Sequence, residues 1–312
     1  MNLLTDKRLF PGIVLLMLIV LPLILDNPFL NHMVIRAATF SIVIMGLTLF
    51  IGYTGQISLG HAAFFGLGAY LSGMMVKAGM PYPAAMLIAI MGVSLLGYIV
   101  GLIVLRTSGD YLALASIAVA VIIQVIIKNA GITGGPSGLT AVPPPSFFGW
   151  EILSDLAYYY YVLFAMVIGF FILKHIIESR TGDALQAIAN NELAAQSLGI
   201  PVFRYKVLSF TVSTAFAALA GVLFVHYDGF IDPDRLGIDV SVLFLIMVFI
   251  GGIGSLYGSI IGAFSLTFLS EYAQEFGQYN ILVYGSLLAI IILFLPKGLV
   301  DLPHKLRLRI SK

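Results

Sequence analysis

The chain has 312 residues, of which 60% are hydrophobic and 10% charged, and its mean hydropathy is +1.04. So few charges cannot cover a surface in water, which excludes a soluble globular domain and makes the bilayer the solvent for most of the chain. A net charge of +1 is too small to suggest a nucleic-acid partner or a polybasic lipid anchor, and the absence of cysteine excludes disulfides and thiolate metal sites.

The expected fold is all-α, a polytopic transmembrane helix bundle forming a single domain over residues 1–312. Apolar stretches long enough to cross ~30 Å of hydrocarbon as helices are predicted at 9–25, 33–51, 57–76, 83–105, 110–128, 157–177, 206–226, 239–252, 255–271 and 279–296. Lys7 and Arg8 precede the first run as they would in a signal peptide, but Asp26-Asn27-Pro28 reads as an exit turn, so that run is expected to be a retained helix. The eighth and ninth are short and separated by a glycine cluster, so they are read as two spans or as one broken element. About ten spans are expected, within a range of eight to ten.

Lysine and arginine set the orientation. With ten crossings, one side receives Lys7, Arg8, Arg106, Lys174, Arg180, Arg204, Lys206, Lys297, Lys305, Arg307, Arg309 and Lys312. The other receives Arg36, Lys77, Lys128 and Arg235, beside the acid-rich stretch of Asp228, Asp232, Asp234 and Asp239. This asymmetry predicts both termini in the cytoplasm.

Several segments carry more than hydropathy. Gly52-Tyr53-Thr54-Gly55-Gln56-Ile57-Ser58-Leu59-Gly60-His61 puts polar side chains and glycines at a membrane boundary, where irregular backbone is tolerated only if buried in protein or lining a wet cavity. Tyr53, Gln56, Ser58 and His61 are therefore candidate lining residues of a substrate path, against the plainer alternative of an interfacial loop. Asp110, after Arg106, is a further candidate for the substrate path; it reads first as a helix N-cap and second as a buried ion-pair or gating residue. Gly97 and Gly101, and the string Gly254, Gly258 and Gly262, are spaced i, i+4, as expected for close helix packing. Gly52 and Gly55 are weakly echoed by Gly251, Gly252 and Gly254.

Two loops are long. The outer loop, 129–156, contains Gly134-Gly135-Pro136 and Pro143-Pro144-Pro145 and is expected to be turns and rigid extended chain. The inner loop, 178–206, holds an alanine-rich stretch from Gly182 to Gly199. Leu185, Ile188, Ala189 and Leu193 fall there at helical spacing, Asp183 suits a helix N-terminus, and Gly199 with Pro201 stops the run. One short amphipathic helix, docking into a groove on a soluble partner, is predicted. The chain has no phosphate-binding G-x-x-x-x-G-K-[ST] loop, no metal-ligand cluster and no nucleophile triad. No enzymatic activity and no cofactor are expected, and energy is expected from another subunit. A self-sufficient secondary transporter or channel is the rival reading, disfavoured by the scarcity of carboxylates at span centres.

Gly52 through Tyr70, Gly109-Asp110-Tyr111-Leu112-Ala113 and Thr133-Gly134-Gly135-Pro136-Ser137-Gly138 resemble the LivM type of permease subunit in branched-chain amino-acid importers driven by ATP-binding cassettes. So do Ser197-Leu198-Gly199-Ile200, Gly251-Gly252-Ile253-Gly254-Ser255 and Phe294-Leu295-Pro296-Lys297-Gly298-Leu299. The resemblance runs from about residue 35 to 302. It implies a channel shared with a sister permease subunit, two ATPase subunits below and an extracytoplasmic amino-acid-binding protein above, all in the cytoplasmic membrane and in contact with its lipid. It also implies that Gly182, Asp183, Leu185, Ile188, Glu192, Ala195 and Gly199 belong to an ATPase-coupling loop. Ala189 and Asn190 depart from the basic and polar residues that relatives often carry there. The implied cargo is leucine, isoleucine or valine, with urea or short amides as the alternative.

Overall fold

The computed structural model describes residues 18–20, 22, 27–107, 109–147, 149–274, 286 and 298–299. The first predicted span apart from residues 18–20 and 22, the last apart from Ser286, and both termini lie outside the described residues. The described chain is a helix bundle: α1 Pro28–Thr54, α2 His61–Lys77, α3 Tyr82–Val104, α4 Asp110–Asn129, α5 Asp155–Ile177, α6 Arg180–Asn190, α7 Glu192–Ser197, α8 Val202–Asp228, α9 Ile238–Gly251 and α10 Leu256–Gln274.

The helix ends follow from local chemistry. Pro28 opens α1 where its missing N–H would have had no partner, and the Asn27 side chain accepts the Phe29 N–H at 2.9 Å. Gly55 closes α1 in a left-handed conformation, φ 67°, which a side chain would disfavour. α2 starts at His61, four residues later than the expected span, because Leu59 N–H is taken by the Ser116 hydroxyl at 2.9 Å instead of by helix. The N-cap of α4 falls on Gly109, φ 60°, and not on Asp110, which is the first helical residue.

Five helices among the described residues are long and apolar enough to cross a membrane: Pro28–Thr54, Tyr82–Val104, Tyr111–Asn129, Asp155–Ile177 and Val202–Asp228. Ile238–Gly251 is apolar but has 14 residues, about 21 Å of helix at 1.5 Å per residue. Burial sorts the long helices. The most apolar windows of α1 and α8 are 94% and 72% buried, against 28%, 22% and 39% for α3, α4 and α5. The peripheral helices present Met91, Ile103, Ile126 and Phe164 outward, as a surface solvated by lipid does.

α8 is the spine, packed against α1, α2 and α3. Small residues permit the approach. Gly68 lies on the backbone at Ala218, Gly221 on the Phe65 carbonyl, and Gly97 on the Thr214 hydroxyl, while a Cβ on Gly101 would stand 3.2 Å from the Phe210 ring. The eighth and ninth predicted spans are two helices folded back on each other. Gly258 sits on Gly251 of α9 and Gly262 on the Met247 carbonyl. Gly254 is not part of a helical string with them, because it occupies the turn before α10 with φ +82°.

The outer loop contains the 3₁₀ turns Gly131–Thr133 and Gly135–Ser137 and a two-residue hairpin, β1 Ser146–Phe147 with β2 Trp150–Glu151. It is tied to α8 and its following turn by a Leu139–Ile231 backbone bridge and by His226 Nδ1, 2.7 Å from the Pro143 carbonyl. The inner loop differs from the single predicted helix. Asn191, φ −160° and ψ 106°, breaks it into α6 and α7, and its side chain caps α7 by accepting the Ala194 N–H at 3.0 Å.

Candidate functional site

The irregular segment between α1 and α2 lies inside the bundle. Tyr53 donates its hydroxyl to the Gly254 carbonyl at 3.0 Å, and a Cβ on Gly52 would stand 2.5 Å from the Gly254 Cα. The two glycine motifs that echo each other in sequence are therefore packed on one another. Ser58 is buried and hydrogen-bonds with His61 Nδ1 at 3.1 Å. His61 Nε2 is 2.8 Å from the Ser213 hydroxyl of α8. The imidazole is 0% exposed and sits among Phe50, Phe64 and Phe210. With both ring nitrogens bonded and three rings around it, His61 ties α2 to α8 instead of facing an open path. Gln56 is buried too, and its Oε1 has no hydrogen-bond partner among the described residues. A buried amide oxygen left so is costly, which makes Gln56 the residue of this segment best suited to meet a polar group.

The segment also reaches the inner loop. A Cβ on Gly55 would stand 3.6 Å from the Ala189 Cα, so the break in the bundle rests directly on α6. Leu185 and Ile188 are buried beneath α6, and Ala195 beneath α7 packs with Ile188 and Val202. Gly182 lies on the Ile177 carbonyl, and Ser179 caps α6 by accepting the Thr181 N–H at 3.2 Å. Asp183 is in the first turn of α6, and Gly199, φ +82°, follows α7. Leu193, expected on the apolar face with Ala189, is 75% exposed, because the break at Asn191 turns α7 relative to α6. Leu193 and Leu198 thus face away from the bundle.

Glu192 is tied to the spine. Lys206 Nζ, on a side chain 3% exposed in α8, reaches Glu192 Oε2 at 2.6 Å. An unpaired ammonium at such a depth costs several kcal/mol, so α7 and α8 are held together by charge as well as by packing. At the far end of α8, Asp228 is held by Arg36 of α1 at 2.8 Å. Neither tie was expected from sequence: Lys206 reads there as one more loop cation and Arg36 as one of four on the opposite side.

The molecule is thus a multi-pass helical membrane protein with a polar break inside the bundle and a short helix pair clamped to its central helix. The chain belongs to the family of permease components of branched-chain amino acid transport systems, whose sequence profile matches residues 29–296. It is 30% identical to the high-affinity branched-chain amino acid transport system permease protein LivM of Escherichia coli K12, over 83% of this chain and 67% of that one. It is 27% identical to the LivH permease protein of the same system and strain, over 86% and 92%. Among solved structures, PsaBC from Streptococcus pneumoniae in complex with Fab aligns over 87% of this chain and 94% of that one, with a TM-score of 0.47 and 16% identity.

Proposed function

We propose that this chain is one of two permease subunits of an importer, in the cytoplasmic (inner) membrane, that moves leucine, isoleucine and valine inward at the expense of ATP hydrolysed by partner subunits. That the chain is similar to both LivM and LivH of one organism supports pairing with a sister permease of like fold. Two ATPase subunits bind on the inner side, and an amino-acid-binding protein delivers cargo from the other. The membrane-spanning part carries eight to ten crossings with both termini inside. Lys206 and Glu192 mark the inner end of α8, and Asp228, Arg36 and Lys128 mark the outer end. Residues 178–206 are the coupling loop, with the outward-facing Leu193 and Leu198 of 75% and 80% exposure seated in a groove of the ATPase.

The observation that carries this mechanism is the Lys206–Glu192 pair. When the ATPases close, they displace α6 and α7. Because separation would strand the buried Lys206 charge, α8 follows, and with it α1, α2 and α3, which pack on α8. Gly55 resting on Ala189 passes the same displacement to the polar break holding Tyr53, Gln56 and Ser58, the segment that lines the path. Gly97 and Gly101 leave room on α3 for the Thr214 and Phe210 side chains of α8, and Gly258 and Gly262 keep α10 in backbone contact with α9.

The test is co-purification in mild detergent followed by an ATPase assay. The sister permease and ATPase subunits are expected to accompany the chain, and a leucine-loaded binding protein should stimulate hydrolysis at least five-fold. Stimulation by a urea-loaded protein and not by a leucine-loaded one would overturn the substrate assignment.

A further inference from the structure

At the outer end of the spine the side chains form two layers. Arg36 and Phe40 are one turn apart on α1, and Phe224 and Asp228 are one turn apart on α8, so each helix presents a charge above a ring. The rings of Phe40 and Phe224 stack at 6.2 Å with 12° between planes, and Phe65 of α2 and Phe244 of α9 complete the aromatic layer. Above it, the Arg36 and Arg235 guanidiniums stand 5.9 and 5.2 Å from the Phe224 centroid. Two cations gathered over one ring repel each other unless carboxylates accompany them. Here Asp228 accepts from Arg36 at 2.8 Å, and Asp232 is 3.6 Å from Arg235. The cap is therefore balanced, two guanidiniums against two carboxylates.

The balance leaves bonding capacity over. Arg36 Nε and Asp228 Oδ1 are both buried with no hydrogen-bond partner among the described residues, and His32 Nε2 stands 3.5 Å from that oxygen, beyond good hydrogen-bond length. A structural ion pair at a helix end has no need of uncommitted buried donors and acceptors of both signs, which carry a desolvation cost. A ligand with a carboxylate and an ammonium on one carbon would use both.

We propose that this layer is the outer recognition site of the permease for a free α-amino acid with an apolar side chain. The guanidiniums of Arg36 and Arg235 take the α-carboxylate, and Asp228 takes the α-ammonium. The side chain enters the aromatic layer, displacing the Phe40–Phe224 stack. A neutral ligand such as urea leaves both charged groups unused. This assignment rests on the proposed amino-acid cargo and adds the place where the permease itself selects it.

The test is equilibrium binding to the full permease–ATPase assembly in nanodiscs, without the binding protein, using radiolabelled leucine displaced by two analogues. Isoamylamine lacks the carboxylate and 4-methylpentanoate lacks the amine. Leucine should displace the label at concentrations at least ten-fold below either analogue, and Arg36→Gln and Asp228→Asn should each weaken leucine binding at least ten-fold. Equal displacement by leucine and both analogues on the unaltered assembly would overturn the site without recourse to any variant, as would full leucine binding by both variants in correctly assembled complexes. If the complete importer accumulates leucine but the assembly shows no such selectivity, this site fails and the transport reading stands. If the complete importer does not accumulate leucine, the transport reading fails, and this assignment with it.

Discussion

Replacing Lys206 with methionine should leave a folded, assembled importer that hydrolyses ATP but accumulates cargo at least ten-fold more slowly. The side chain is 3% exposed and its ammonium is neutralised by Glu192, whose own side chain is 43% exposed. Removing one partner of a buried pair costs ~3–5 kcal/mol when the charge left behind stays buried, whereas replacing the whole pair by apolar residues of similar volume is often neutral. Lys206→Met escapes most of that cost, because it removes the buried charge and the Glu192 left behind is half solvated. Glu192→Gln leaves the Lys206 charge buried and unpaired, and should also lower thermal stability. Glu192→Lys is the severest, since it sets two ammonium groups where 2.6 Å now separates a cation from an anion. Uptake and ATPase rates measured on the same proteoliposomes separate these outcomes. A Lys206→Met importer that transports at the original rate would mean that packing alone carries the stroke.

A single methyl group added at Gly221 should abolish assembly. A Cβ there would overlap the Phe65 carbonyl and stand 3.1 Å from the Ala69 N–H, so the obstruction is backbone on the facing helix and no rotamer relieves it. Overpacking against side chains costs ~1–3 kcal/mol. Against backbone, the crossing of α2 and α8 has to open, in a membrane where close contact itself is what joins helices. Gly221→Ala should give protein that aggregates in detergent or melts more than 10 °C below the parent. Gly92→Ala is the matched control. That glycine is also helical but has nothing within 4 Å of its Cβ position, so alanine should be neutral or raise stability by ~0.5–1 kcal/mol. Size-exclusion chromatography after heating reads both.

Much of the architecture was legible because hydropathy and glycine spacing act locally. The apolar runs at 33–51, 83–105, 110–128 and 157–177 lie within or beside α1, α3, α4 and α5, and the largest shift, from residue 33 back to Pro28, comes where the Asn27 cap opens α1. The split of the inner loop at Asn191 was missed because alanine-rich periodicity continues through it. The break depends on an asparagine that serves as the C-cap of α6 and the N-cap of α7 together.

The site was less legible. His61 reads as a lining group, since nothing in the sequence says that Ser213, 152 residues on, will satisfy its second nitrogen. The pairing of Lys206 with Glu192, 14 residues apart across a chain reversal, was within reach. A lysine at the first turns of a predicted span, downstream of an acid in an amphipathic segment, is a signal of a tie between the two. The outer layer had a fainter signal, a charge and a ring at i, i+4 on both α1 and α8. It becomes a site only once the fold sets those two faces against each other.

The most direct test of the account is reconstitution in liposomes with ATP inside and labelled leucine and binding protein outside. Complete assemblies should concentrate leucine in an ATP-dependent manner, and vesicles holding this chain alone should not take it up. Concentrative uptake by the chain alone would contradict the account, because the work would then be done without any ATPase.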